Sequence, residues 1–191
     1  MTQHLIFPTT LEGPWPAGTE VIYFGMGCFW GAEKKFWQLP GVVSTSVGYM
    51  GGHSADPTYP MVCSGATGHA EVVQVAFDPA LVGLYDVLKV FWENHDPTQG
   101  NRQGNDVGTQ YRSVVYWTTP AQEAMVHQTA TAYSEVLTSK GFDPITTELA
   151  DAHQFTFWLA EDYHQQYLIK NPNGYDCHAH TGIDLPPIQG V

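Results

Sequence analysis

Cysteine is scarce in this chain. Cys28, Cys63 and Cys177 are three thiols spread over 191 residues, too few for a structural disulfide framework, and their odd number leaves at least one unpaired. In a reducing compartment any bridge among them is transient and catalytic. Cations are short relative to anions: 7 Lys+Arg stand against 19 Asp+Glu, a formal net charge of −12. Such a chain is repelled by phosphate backbones and anionic membrane surfaces, which argues against a nucleic-acid partner. Long apolar runs are missing too, since glycine, proline or charge interrupts every candidate for a membrane span. The start has no basic stretch leading into an apolar segment, because the first basic residue is Lys34 and Pro8, Pro14 and Pro16 break the chain. The expectation is a cytoplasmic protein with no membrane partner.

What is present suits one globular domain, with 43% hydrophobic residues to build its core. Residues 1–19 carry three prolines and no period, and are expected to form an N-terminal arm. Residues 20–191 are expected to form a single domain that carries the chemistry and ends in a coil over 171–191. Val21 to Gly25 reads as a buried strand, followed by Phe29, Ala32 and Phe36 at helical spacing until Pro40 and Gly41. Alternation marks strands at Val43 to Tyr49 and Glu71 to Phe77, with a Gly-rich loop between them. Leu84, Val87, Leu88 and Phe91 form a helical stripe, and Tyr111 to Trp117 is β-prone. The order βαββαβ points to an α+β fold: a ferredoxin-like two-layer sandwich with a split βαβ core and helices on one face of a largely antiparallel sheet. A further helix is signposted by Thr119, Pro120 and Gln122 and stopped by Gly141. A strand at Ile145 to Leu149 and a last helix at Ala160 to Lys170 complete the reading.

Cys28 stands between Gly27 and Phe29 where a strand hands over to a helix. Unpaired N–H groups and the positive dipole end there favour a thiolate, so the pKa is expected to fall. A buried, inert Cys is the alternative. Glu71 shares a strand face with Val73, Val75 and Phe77, while Gln74 and Asp78 take the other, wetter face; apolar surroundings would raise the pKa of Glu71 and leave a proton to donate. On the residues alone, a carboxylate reaching water at a strand end is an equal alternative.

Gly27-Cys28-Phe29-Trp30-Gly31 resembles the hallmark of the peptide methionine sulfoxide reductase A family. The resemblance continues through Val47-Gly48-Tyr49, Tyr59 with Cys63-Ser64-Gly65, Gly68-His69-Ala70-Glu71, Phe91 to Pro97, Gln103 to Arg112 and His164 to Tyr175. It covers nearly all of residues 20–187. It implies reduction of methionine S-sulfoxide, free or peptide-bound, with Cys28 as nucleophile, Glu71 as acid, and Tyr59 and Tyr111 as hydrogen-bond donors to the sulfoxide oxygen. Phe29 and Trp30 are implied to wall in the S-methyl group and Asp106 to fix the polar side of the site, while Val107 stands where many members have His. The implied cycle leaves a sulfenic acid on Cys28, which Cys177 resolves as a Cys28–Cys177 disulfide that thioredoxin reduces. In the family the resolving residue commonly follows Gly-Tyr directly; here Asp176 intervenes. No cofactor and no metal are expected, and by the family resemblance Cys63 is a bystander. Two rivals remain on the residues alone. One is a Cys-dependent acyl-transfer hydrolase, which needs a histidine base. The other is a zinc-binding module built on Cys177, His178 and His180, which lacks an evident fourth ligand.

Overall fold

A computed structural model of the protein describes residues 2–177 and 179–188. The elements are β1 (Glu20–Met26), α1 (Phe29–Trp37), β2 (Val42–Met50), α2 (Tyr59–Cys63), β3 (Ala70–Phe77), α3 (Leu84–Glu93), β4 (Arg102–Gln103), β5 (Asp106–Val107), β6 (Ser113–Trp117), α4 (Pro120–Ser139), β7 (Glu148–Asp151), β8 (Trp158–Leu159) and α5 (Tyr167–Lys170). Six strands form one mixed sheet in the order β7-β6-β1-β3-β2-β8. All neighbours are antiparallel except the parallel pair β6 and β7. The short β4–β5 hairpin stands apart.

Helices α1, α3 and α4 bury their apolar stripes on one face. There Phe29 and Phe36 of α1, Leu88 and Phe91 of α3, and Tyr133 and Leu137 of α4 meet Phe24, Val73, Val75 and Phe77 of the sheet. Each large side chain buried in this way contributes roughly 1.5–3 kcal/mol. Thr119 caps α4 as expected, accepting from Gln122 N at 3.2 Å. The Gln122 side chain returns to Thr118 N, at 2.8 Å, one residue earlier than a capping box requires.

Three expectations are corrected. The face expected to be wetter, which carries Gln74, is buried along all of β3, because Phe155 and Phe157 cover Met50, Val72, Val114 and Tyr116. Tyr111 is not in a strand but in a 3-10 turn over Thr109–Tyr111. The expected helix over 160–170 shrinks to the four residues of α5, preceded by β8. Distant groups hold the segment instead: Gln165 Oε1 accepts from Val47 N of β2, its Nε2 donates to Val47 O and Ala160 O, and Glu33 accepts from Gln166 N. Gln166 itself is left-handed, with φ 46°.

The two ends are pinned. Thr9 Oγ1 donates to Val43 O at 2.7 Å and His4 Nε2 lies 2.9 Å from Thr45 Oγ1, so the arm covers the part of β2 that β8 leaves open. The C-terminal coil is held by Tyr133, which donates to Ile183 O, and by Leu185, whose N–H donates to Glu93. His178 and residues 189–191, part of the expected coil, lie outside the described residues. Among the described residues no helix is long and apolar enough to cross a membrane.

Candidate active site

Strand β1 ends at Met26 and the chain turns through Gly27, whose φ of +88° only glycine adopts freely. A Cβ there would meet Gln103 Cβ at 2.6 Å, so the turn is pressed against β4. Cys28 follows as the N-cap of α1, 8% exposed, with no capping hydrogen bond from its side chain. Burial pushes its thiol well above the ordinary range. The charge of Glu71 adds to this, and a Trp30 N–H only partly offsets it. The expected depression is therefore overturned, because loss of solvent outweighs the pull of one short helix. Cys28 rests as a thiol.

Glu71 lies on the helix face of β3, 2% exposed, with Oε2 accepting from Phe29 N at 3.0 Å. Burial raises its pKa to about 8; the Phe29 N–H opposes the shift and the charge of Asp106 reinforces it. It is a protonated carboxyl at neutral pH, in direct contact with the residue after Cys28. The alternative of a carboxylate reaching water does not occur.

The loops bring the other candidates to the same end of the sheet. Tyr111 feels Glu71, Cys63, Asp106 and Cys28, and its phenol is held neutral by burial. Tyr59 opens α2; its N–H donates to Glu161 Oε1 at 2.8 Å and its hydroxyl is hydrogen-bonded to Cys63. Asp106 accepts from Tyr175 Oη at 3.1 Å, while Val107 beside it is exposed. Cys177 lies over Gln103, with Sγ 3.9 Å from its carbonyl oxygen. The charges of Glu71, Asp106 and Cys177 each act on Cys28. Cys63 acts on the two tyrosines.

Phe29 and Trp30 divide as their positions on α1 suggest. Phe29 is fully buried, against His164 and Tyr49 at ring distances of 5.0 and 5.9 Å. Trp30 is half-buried, stacked on Tyr167 at 3.7 Å, with Nε1 donating to His164 Nδ1 at 2.9 Å. His164 accepts through Nδ1 and is neutral, its pKa lowered to about 4 by burial. Reading the sequence missed this support. Glu33, buried on α1, takes Gln166 N on Oε2 and both Gln166 Nε2 and Thr45 Oγ1 on Oε1, so it fixes the segment that carries His164 and Tyr167. A carboxylate on the buried stripe of Phe29, Ala32 and Phe36 was the available signal. Glu161, which links Tyr59 N to the hydroxyl of Tyr49, left no comparable trace in the pattern.

The zinc reading depends on His178, which lies outside the described residues. Among the described residues no group of three or more His, Cys, Asp or Glu is placed to hold a metal ion.

A family model described as peptide methionine sulfoxide reductase matches residues 20–187. Peptide methionine sulfoxide reductase MsrA of Brucella ovis is 54% identical over 183 residues, covering 96% of this chain and 83% of that protein. Among solved structures, methionine sulfoxide reductase A of Corynebacterium diphtheriae superposes with a TM-score of 0.85 at 45% identity, covering 96% of this chain and 89% of that one. Mxr1 of Saccharomyces cerevisiae in reduced form gives 0.77 at 35% identity, over 87% of this chain and 93% of that one. The same yeast protein in complex with Trx2 gives 0.54 at 21% identity over 87% and 92%, a likeness of fold alone.

Proposed function

Since the chain belongs to the peptide methionine sulfoxide reductase family and is an oxidoreductase of that kind, we propose that it reduces the S epimer of methionine sulfoxide, free or in peptides, with Cys28 as nucleophile and Glu71 as acid. One observation carries the reading: a buried, protonated carboxyl hydrogen-bonded to the N–H of the residue next to a buried thiol. A sulfoxide oxygen leaves sulfur only when it is protonated, and protonation also opens the sulfur to attack. Glu71 Oε2 is occupied by Phe29 N–H, which leaves Oε1 to carry the proton. As Glu71 protonates the oxygen, Cys28 attacks the sulfur and its thiol proton returns to Glu71. The hydroxyl then passes from the substrate sulfur to the Cys28 sulfur as the S–S bond formed in the attack breaks, so Cys28 is oxidised to the sulfenic acid, the sulfoxide sulfur is reduced, and methionine departs. Glu71 finishes as it began.

Tyr59 and Tyr111 hydrogen-bond the oxygen as its charge develops. Trp30, braced by His164 and Tyr167, supplies the flat wall for the S-methyl group, with Phe29 buried behind it, and Asp106 closes the polar side. Cys177 then resolves the sulfenic acid, and thioredoxin reduces the bridge. Yeast Mxr1, 35% identical to this chain in its reduced form, is found in complex with Trx2, which supports that partner. The arrangement of residues 20–177 and 179–188, including the pinned coil, supports one catalytic domain with the ferredoxin-like order β6-β1-β3-β2 at its centre.

A coupled assay with methionine sulfoxide, thioredoxin and its reductase tests the activity. Because methyl, oxygen and thiol each take a fixed corner around a chiral sulfur, the S epimer is consumed roughly 10²-fold faster than the R epimer. Equal consumption contradicts the site assignment.

A raised carboxyl is protonated below its folded-state pKa and ionised above it. Methionine formation in a single turnover therefore holds from neutral pH to about 8 and declines beyond, as Glu71 loses the proton it must give. Glu71→Gln lowers the rate by roughly 10²–10⁴-fold and removes the alkaline decline. A rate that climbs through pH 8 in the wild type would instead place a thiolate in the attacking form.

A further inference from the structure

The coil carrying Cys177 is fastened to the helix that Cys28 caps. Asp176 Oδ2 accepts from Lys34 Nζ at 2.8 Å, with the Asp176 side chain 15% exposed. Lys34 lies on α1 three residues after Gly31. At Gly31 a Cβ would come within 2.8 Å of Asp176 Oδ1 and 3.3 Å of the Cys177 carbonyl oxygen, so residues 176–177 lie directly on the helix backbone. Cys177 Sγ rests near the Gln103 carbonyl, and Gln103 packs against Gly27, the residue before Cys28. The ion pair thus sits one residue from the sulfur it serves, and its anion is the residue that intervenes between Gly174-Tyr175 and Cys177.

We propose that Lys34 is a positioning residue for the second chemical step: through Asp176 it holds the Cys177 thiol over the start of α1, where the Cys28 sulfenic acid forms. The proposal rests on the function assigned above and extends it to residues outside the reacting set. In this step the Cys177 sulfur attacks the Cys28 sulfur, the S–O bond breaks and the S–S bond forms. The thiol proton and the hydroxyl leave as water, with Cys28 reduced and Cys177 oxidised. Lys34 touches none of these atoms. Its effect is to keep the attacking thiol at high effective concentration. Tyr175, donating to Asp106 on the other side of the sulfur, belongs to the substrate's polar corner and is a poorer probe, because its loss would disturb both steps.

The experiment mixes reduced enzyme with one equivalent of methionine sulfoxide and follows methionine by quenching, sulfenic acid by trapping, and the bridge by peptide mapping. Lys34→Met keeps the aliphatic stem, so methionine forms at the wild-type rate while closure of the Cys28–Cys177 bridge slows about fivefold, the scale of one partly exposed ion pair. Asp176→Asn behaves alike, and the charge-swapped pair of Lys34→Asp with Asp176→Lys restores closure. Salt slows closure in the wild type and not in Lys34→Met. Damage to α1 would slow methionine formation as well, which sets a merely structural effect apart. Wild-type closure in Lys34→Met, with the bridge mapped to Cys28–Cys177, overturns the positioning role alone, as does a swapped pair that restores nothing. A wild-type bridge mapped to Cys28–Cys63 overturns the resolving role of Cys177 and the anchor with it.

Discussion

Cys28→Ser is expected to lower methionine formation by roughly 10⁴-fold or more, with no residual burst in a single turnover. An alcohol at this position is a poorer nucleophile than a thiol, and the buried site that raises the thiol pKa disfavours an alkoxide even more strongly. The loss separates from stability, and this makes the variant informative. Cys28 is the N-cap of α1 and makes no capping hydrogen bond from its side chain, whereas serine is among the preferred N-cap residues. The melting temperature of Cys28→Ser therefore equals or exceeds that of the wild type while activity vanishes. Thermal denaturation beside the single-turnover assay checks both halves; substantial turnover in the folded variant removes Cys28 from the nucleophile's role.

Cys177→Ser is expected to form about one methionine per reduced enzyme and then stop, because Cys28 is the one thiol that the first step uses. Thioredoxin-dependent turnover collapses, and a trapping reagent finds sulfenic acid on Cys28. In the wild type the oxidised enzyme yields a Cys28–Cys177 bridge, with Cys63 still open to alkylation. The structure supports this division of labour: Cys177 lies on the backbone of α1 at Gly31, with Sγ 3.9 Å from the carbonyl oxygen of Gln103 beside Gly27, whereas Cys63 is exposed and hydrogen-bonded to Tyr59. Full thioredoxin-dependent turnover in Cys177→Ser transfers the resolving role to Cys63.

Elements with a strong period were readable. The stripe of Phe29, Ala32 and Phe36 gave α1, alternation gave β2 and β3, and Thr119 with Pro120 gave the start of α4, because in each case local spacing and burial agree. The segment from Ala160 to Lys170 has helical composition and is mostly not helical. Its backbone partners are Val47 and Glu33, more than a hundred residues earlier, and no local window contains them. The face of β3 bearing Gln74 misled for a similar reason: Phe155 and Phe157, which cover it, arrive from the far side of the sheet.

The candidate site divides along the same line. The sequence by itself determined the chemistry on offer: a cysteine between a strand and a helix, a glutamate on an apolar strand face, a distant third thiol, and a family pattern joining them. Only the tertiary structure decided their protonation. The helix start predicts a lowered Cys28 pKa, yet the assembled core buries the thiol beside Glu71 and raises it, because desolvation depends on every element packed around a group and not on its neighbours in the chain. Tertiary structure likewise decided that a chain segment over 140 residues away is clasped to α1 through Lys34 and Asp176, since an ion pair is set by the distance between charges in space.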